Sequence, residues 1–396
     1  MTSIALESRD RWAMSVEARA LVVLTASLTV FGLAFLYSAS AIVAMQENQA
    51  SWFFVSRQAV GVVVGAAAFA VAAKFDAERL QKLAWPIMIL TIAAMLVTVL
   101  PFTTSIAPVH LGSRRFILGR SLQPSELGKL AVVIWTAMMI VKKGDKMRRL
   151  TKGLLPILMI VGVLDLLAIL QPDLSVALMF TLTMGIILFS AGARIGHFVV
   201  LGVVAIPIMW GQLVRLQYAL QRLVSFFGAE NEVIEHQLKQ SLIAVGSGGL
   251  FGEGFGQGRQ QFGWVPLGYN DFIASTIGEE WGFVGMVLLV GLFAGYAWLG
   301  MRIARHARTP FLQLVAAGLT VTTVITAFVH IGVVIGLLPT TGLTLPFVSY
   351  GRSNLVLSFL MTGILVNIGS RKERVTGAGG TGGGGTRVTN PLSATT

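Results

Sequence analysis

The sequence predicts an all-α polytopic membrane protein: ten transmembrane helices, both termini cytoplasmic, and a long extracytoplasmic loop between helices seven and eight. Three observations carry that expectation. Of 396 residues, 55% are hydrophobic and 12% charged, with a mean hydropathy of +0.76, whereas soluble domains carry about 25% charged residues. Ten apolar runs are long enough to cross about 30 Å of hydrocarbon. The basic residues gather in short loops between those runs, Lys142, Lys143, Lys146, Arg148, Arg149 and Lys152 in a single one. The formal charge of +12 is therefore a topology signal of the positive-inside kind. It is not a nucleic-acid footprint, and no nucleic-acid partner is expected.

The runs lie near 21–45, 54–73, 83–101, 124–141, 154–171, 173–190, 197–214, 272–300, 311–337 and 351–369. Placing the Lys142 to Lys152 loop inside puts both termini inside and starts every even-numbered helix at the outer face. Residues 1–19 form a cytoplasmic N-terminal segment that carries acids among its bases. The first apolar run is too long for a signal peptide's core. Residues 20–370 form the membrane domain, with outer loop 215–271. The Gly-rich stretch 371–396 is expected to be a disordered cytoplasmic tail. The chain has no Cys, hence no disulfide framework and no thiolate metal site.

The outer loop is too long for a simple connection. Within it, residues 246–258 hold seven glycines in thirteen positions. No phosphate-loop pattern is present and no strand precedes the run, so these glycines are expected to serve a sharp bend or a close approach of the backbone to a ligand. The loop ends at Asp271, where polar sequence enters an apolar span. An ionisable group at that boundary is costly unless it pairs or works, which makes Asp271 the candidate catalytic residue.

Other polar groups crowd the same outer level. Gln123-Pro124-Ser125-Glu126 opens the fourth span and Gln171-Pro172-Asp173 the sixth. Each puts Pro and an acid in a first helical turn, where capping and the helix dipole already favour them. Lys129 follows Glu126 by three residues inside the apolar run, so the two are expected to pair on one helical face toward the bundle interior. Arg114, Arg115 and Arg120 lie on the outer side, where the positive-inside bias disfavours them. They read either as headgroup anchors or as a grip on an anionic substrate. Ser349 and Arg352 open the tenth span. Helix N-termini and guanidinium groups both suit phosphate, so Arg114, Arg115, Glu126, Lys129, Asp173, Ser349 and Arg352 are the candidate substrate-binding residues. Asp165, mid-span, suits an interhelical hydrogen bond, as does at least one of Glu279 and Glu280. The five histidines show no ligand-like spacing.

At these residues the chain resembles the SEDS family (shape, elongation, division and sporulation), ten-span bacterial proteins with FtsW and RodA branches. The matching motifs are Tyr37-Ser38-Ala39-Ser40, Gly112-Ser113-Arg114-Arg115-Phe116-Ile117, Gln123-Pro124-Ser125-Glu126-Leu127-Gly128-Lys129, Gln171-Pro172-Asp173, the stretch from Gln240 to Gly252, Asp271-Phe272-Ile273, Gly278-Glu279-Glu280 and Pro346-Phe347-Val348-Ser349-Tyr350-Gly351. They run in family order over about residues 20 to 370. Ala191-Gly192-Ala193-Arg194 and Gly342-Leu343-Thr344-Leu345-Pro346 look more like the FtsW branch. Three stretches depart from the pattern: Tyr269-Asn270 replaces His-Thr, Leu174-Ser175 replaces Gly-Thr, and Gly351-Arg352-Ser353-Asn354 replaces Gly-Gly-Ser-Ser.

The resemblance implies an inverting peptidoglycan glycosyltransferase that polymerises lipid II at the outer face of the bacterial cytoplasmic membrane, at the division septum for the FtsW branch. It implies lipid II, a class B penicillin-binding protein and other division-complex membrane proteins as partners, and Asp271 as the essential carboxylate. No cofactor is certain; a divalent cation, Mg or Mn, stays open, with no ligand cage in the sequence. The rivals are a lipid II flippase, an elongation-type polymerase and a scaffold without chemistry. A flippase needs polar groups along the whole crossing, whereas here they crowd the outer third. A scaffold needs no buried Lys.

Overall fold

The computed structural model describes residues 8–103, 107–108, 113–117, 122–194, 196, 198–199, 202–203, 211, 217–226, 232–264 and 268–376. Eleven helices are named among them: α1 (Val16–Gln46), α2 (Phe53–Lys74), α3 (Leu80–Val99), α4 (Pro124–Lys143), α5 (Leu155–Leu170), α6 (Leu174–Ser190), α7 (Gln217–Phe226), α8 (Glu232–Ser247), α9 (Ile273–Arg305), α10 (Pro310–Val334) and α11 (Arg352–Ile368). Seven described helices have the length and hydropathy of a span: α1, α2, α4, α9, α10, and α3 and α5 with the turns that lead into them. α6 and α11 are apolar but shorter. The protein is an all-α membrane protein, and the expected seventh span, 197–214, lies mostly outside the described residues.

Helix ends follow local chemistry. Ser15 caps α1 by accepting from the Ala18 amide at 3.1 Å. Thr309 caps α10 and Pro310 opens it, a position where the missing N–H costs nothing. α4 has Pro124 and Glu126 in its first turn and Lys142 and Lys143 in its last, matching both ends of the dipole. α4 is also apolar all round below Lys129, the pattern of a helix enclosed on every side. Accordingly 89% of its apolar stretch is buried, against 22% for α2. α4 is the central pillar, with α3, α6 and α10 packed on it.

α9 is broken at Gly282 (φ 61°, ψ −153°), and the Gly-rich run repairs the break. A continuous helix would bond the amides of residues 283 and 284 to the carbonyls of 279 and 280. Instead Phe283 donates to Gly249 O at 2.9 Å and Val284 to Leu250 O at 3.1 Å, while Glu253 and Gly254 donate to Glu279 O and Glu280 O, both at 3.0 Å. Each backbone group freed by the break thus finds a partner in the loop, as apolar surroundings demand. The contact leaves no room for side chains: a Cβ on Gly252 would lie 2.1 Å from Glu280 O. The close approach of the glycines, expected toward a ligand, is made instead to the protein's own helix.

The ends of the described chain meet. β1 (Ser8–Met14) and β2 (Ser370–Thr376) form an antiparallel ribbon running from Met14↔Ser370 to Ser8↔Thr376. Ser15 N bonds Gly369 O at 3.2 Å and sets the register, after which each residue extends the ladder. Residues 371–376, expected to be disordered, therefore form β2; residues 377–396 lie outside the described residues. Beside the ribbon, Arg302 pairs with Glu17 at 3.0 Å.

Candidate active site

The N-terminal ends of α4, α6, α9 and α11 converge at the opposite end of the bundle from this ribbon. Gln123 N, at the start of α4, donates to Ser353 Oγ of α11 at 3.0 Å, and Tyr350 N donates to Tyr269 O, just before α9, at 3.1 Å. Residues 340–345 lie across the junction and are latched from four elements. Ser175 of α6 holds Thr341 O at 2.7 Å, and His330 of α10 donates through Nδ1 to Leu343 O at 2.8 Å. Asn354 of α11 donates to Thr344 O at 3.2 Å, and Arg222 of α7 to Thr340 O at 3.5 Å. Ser175 and Asn354 are departures from the family pattern, and each makes one of the bonds that close the junction.

Glu126 and Lys129 pair as expected, Nζ to Oε1 at 2.8 Å, with side chains 8% and 4% exposed. Arg115 and Asp173 form a second pair at 3.4 Å. The Arg115 guanidinium also donates to Gln171 O at 3.1 Å and to Pro172 O, while Asp173 accepts from Val176 N at 3.4 Å and so caps α6. Asp173 senses the charges of Arg115, Glu126 and Arg222. The two pairs therefore belong to one electrostatic cluster.

Asp271 joins that cluster from the α9 side, half-buried and just outside the spanning helix. Burial pushes its carboxyl up to about 6, against the opposing pull of Arg222 and then Arg115, with Asp173 adding to the rise. A carboxylate so placed is deprotonated at neutral pH yet holds a proton more readily than a free one, which suits a general base. Gly342, in the left-handed region at φ +73°, lies between the two groups: a Cβ there would be in ordinary contact with both, 3.6 Å from Asp271 Oδ2 and 3.8 Å from Arg222 Nη1.

Two expected substrate contacts have other work in the structure. Arg114 donates to Leu100 O at 2.8 Å, Thr103 Oγ1 at 2.9 Å and Ala107 O at 3.0 Å, so its fork ties together the loop after α3. Arg115, its neighbour ahead of the Ile117–Leu122 bridge, goes to different partners, and of the two it is Arg115 that reaches the cluster. Ser349 is 3% exposed and its hydroxyl accepts from Leu345 N at 2.9 Å, shaping the turn. Arg352 lays its stem on α2, with Cγ 3.3 Å from where a Cβ on Gly61 would sit. Arg120 and His110 lie outside the described residues.

Two residues of the site escape a sequence reading. Gln58 of α2 donates to Ser349 O at 3.0 Å and accepts from Gly351 N at 3.2 Å, clamping the entry to α11. Arg222 sits on a short loop helix; its one sequence signal is a cation on the outer side, where topology disfavours it. Away from the site, Asp165 accepts from Thr181 Oγ1 at 2.9 Å across α5 and α6, and Glu280 accepts from Ser38 Oγ across α1 and α9. Glu279 accepts from the amides of Arg259 at 2.7 Å and Gln260 at 3.2 Å. Among the described residues no three His, Asp or Glu side chains could hold a metal ion together.

The comparisons with known proteins agree with this architecture. A family model described as "Cell cycle protein", covering FtsW, RodA and SpoVE, matches residues 19–374. A "Probable peptidoglycan glycosyltransferase FtsW" of Geobacter sulfurreducens is 34% identical over 355 residues, covering 89% of this chain and 94% of the relative. Stage V sporulation protein E of Bacillus subtilis is 36% identical over 358 residues, covering 89% and 97%. Among solved structures, a chain of a peptidoglycan synthase complex that coordinates polymerization and crosslinking superposes with a TM-score of 0.72 at 24% identity, covering 88% of this chain and 96% of that one. The rod-shape-determining protein RodA of Thermus thermophilus superposes with a TM-score of 0.63 at 25% identity, covering 88% and 95%. With the family model spanning nearly the whole membrane domain, this chain belongs to the FtsW/RodA/SpoVE family, the SEDS proteins.

Proposed function

We propose that the protein is a peptidoglycan glycosyltransferase that polymerises lipid II at the outer face of the bacterial cytoplasmic membrane. One observation carries this reading beyond family membership: the Asp271 carboxylate sits within the field of Arg115 and Arg222 where four helix N-termini converge. Asp271 takes the proton of the acceptor sugar's 4-hydroxyl. The alkoxide oxygen forms the new bond to the donor's anomeric carbon from the face opposite the pyrophosphate. The anomeric C–O bond breaks, the configuration inverts, and undecaprenyl pyrophosphate leaves with the electron pair. Positive groups and helix N-termini stabilise charge that develops on the leaving oxygens.

Arg115, with 29% of its side chain exposed, is the guanidinium with access to that pyrophosphate. Lys129, 4% exposed and bonded to Glu126, supports the site from behind. Among the described residues no group of three acids or histidines could hold a divalent cation, and no step is routed through one. Ten spans with both termini cytoplasmic complete the topology, supported by the ribbon that brings the two ends of the membrane domain together. A class B penicillin-binding protein as partner, and work at the division septum within the division complex, fit the relatives of the FtsW branch. The test is Asp271→Asn in purified protein given lipid II. The variant keeps the side chain's volume and removes the base; it should remain folded and make no polymer.

A further inference from the structure

The long outer loop sends one short helix, α7, back to the site, and that helix carries a cation to the carboxylate on which the chemistry depends. Arg222 Nη1 and Asp271 Oδ2 each lie within 4 Å of the same point, the empty Cβ position of Gly342. The guanidinium also reaches Thr340 O at 3.5 Å, so α7 is fastened to the stretch that roofs the site. Asp271 is faced by Arg222 from α7, by Arg115 from the hairpin before α4 and by Asp173 from the α6 cap. Residues 340–345 contribute no charged side chain. Arg115 is already engaged with Asp173 and two carbonyls, and Asp173 opposes ionisation of Asp271 through its own charge.

We infer that Arg222 is a positioning residue for Asp271: the outer loop docks it beside the carboxylate so that the base is ionised and aligned when the acceptor sugar arrives. The inference rests on the reading of Asp271 as the general base. The loop then does more than cover the site, because its docking sets the pH range over which the base works. An opposite charge a few ångströms from a carboxylate lowers its pKa by about 1 to 3 units, and partial exposure places this case at the lower end. Removing the charge should therefore move Asp271 upward, and the acid limb of activity with it.

The experiment is the pH profile of lipid II polymerisation by the purified full chain, as wild type, Arg222→Gln and Arg222→Lys. For Arg222→Gln the acid limb should move up by about one unit, so that activity well below the limb falls about tenfold while activity above pH 8 returns to near the wild-type level. Arg222→Lys keeps the charge and should keep the limb within a few tenths of a unit. An equal loss for Arg222→Gln at every pH would make Arg222 a substrate contact or a structural prop, and an unmoved limb at full activity would remove it from the site. If Arg222→Gln does not fold, Arg222→Lys decides: a limb displaced despite the retained charge overturns the inference. Failure here stays distinct from failure of the base assignment, which shows as normal polymer from Asp271→Asn.

Discussion

Removing Lys129 should cost more than removing Lys129 and Glu126 together. The pair lies in the first two turns of the most enclosed helix, at 2.8 Å, with both side chains less than a tenth exposed. At an effective dielectric of 20 the gross attraction at that distance is about 6 kcal/mol, most of it offset by taking two charges out of water. Lys129→Met leaves the Glu126 carboxylate uncompensated beside other buried polar groups, and breaking a buried pair in this way costs about 3–5 kcal/mol. Glu126→Gln with Lys129→Met removes both charges and keeps most of the volume, so it should cost about 1–2 kcal/mol less than Lys129→Met alone. The assay is a double-mutant cycle on unfolding in detergent, which isolates the coupling from effects on catalysis. If the double variant loses as much as the two single losses added, the charges are not coupled and the account of α4 is wrong.

Three further outcomes follow from the geometry. Asp271 is held above its unfolded value of 3.8, at about 6; an acid with a raised folded pKa weighs against the folded state once pH exceeds that value. Asp271→Asn should therefore be more stable than wild type at pH 7, by about 1–2 kcal/mol, with the gain fading as pH falls from about 6 to about 4 and absent below that; a variant less stable at pH 7 would contradict the electrostatic account. Arg114→Gln should lower the melting temperature yet leave activity per folded molecule nearly unchanged, whereas Arg115→Gln should lower kcat/KM about tenfold to a hundredfold and respond to added lipid II; steady-state kinetics on both variants checks the division of labour. Gly252→Ala, with 2.1 Å to Glu280 O, should abolish folded protein, whereas Gly249→Ala, at φ +51° with open space, should cost about 1–2 kcal/mol of backbone strain; equal stabilities would undo the helix repair described at Gly282.

Features encoded by spacing along one element were legible in the sequence. The seven long apolar spans follow from run length, the Glu126–Lys129 pair from an i,i+3 relation inside an apolar run, and the Asp165 interhelical bond from one acid at mid-span. The Gly-rich run announced a tight approach, though its target, the broken α9, depends on tertiary structure. What stayed hidden depends on direction and on distant partners. Arg114 and Arg115 are adjacent and chemically alike, but the hairpin turns one into its own loop and the other toward Asp173. Ser349 reads as a hydroxyl at the right depth, yet its oxygen is taken up by the Leu345 amide. His330, Gln58 and Arg222 come from three separate helices and acquire meaning only where residues 340–351 pass them. The ribbon at the termini was hidden because a charged strand in a short terminal segment looks like a tail until its partner is known.

The central claim is that this chain itself makes glycan, with Asp271 as the base. The direct measurement is polymer formation from lipid II by the purified protein in detergent, where flipping contributes nothing, with the proposed class B penicillin-binding protein added and the product read by length on a gel. The account predicts polymer from wild type, and none from folded Asp271→Asn. Polymer from the variant, or a wild-type protein that makes none yet moves lipid II across a vesicle membrane, would contradict it.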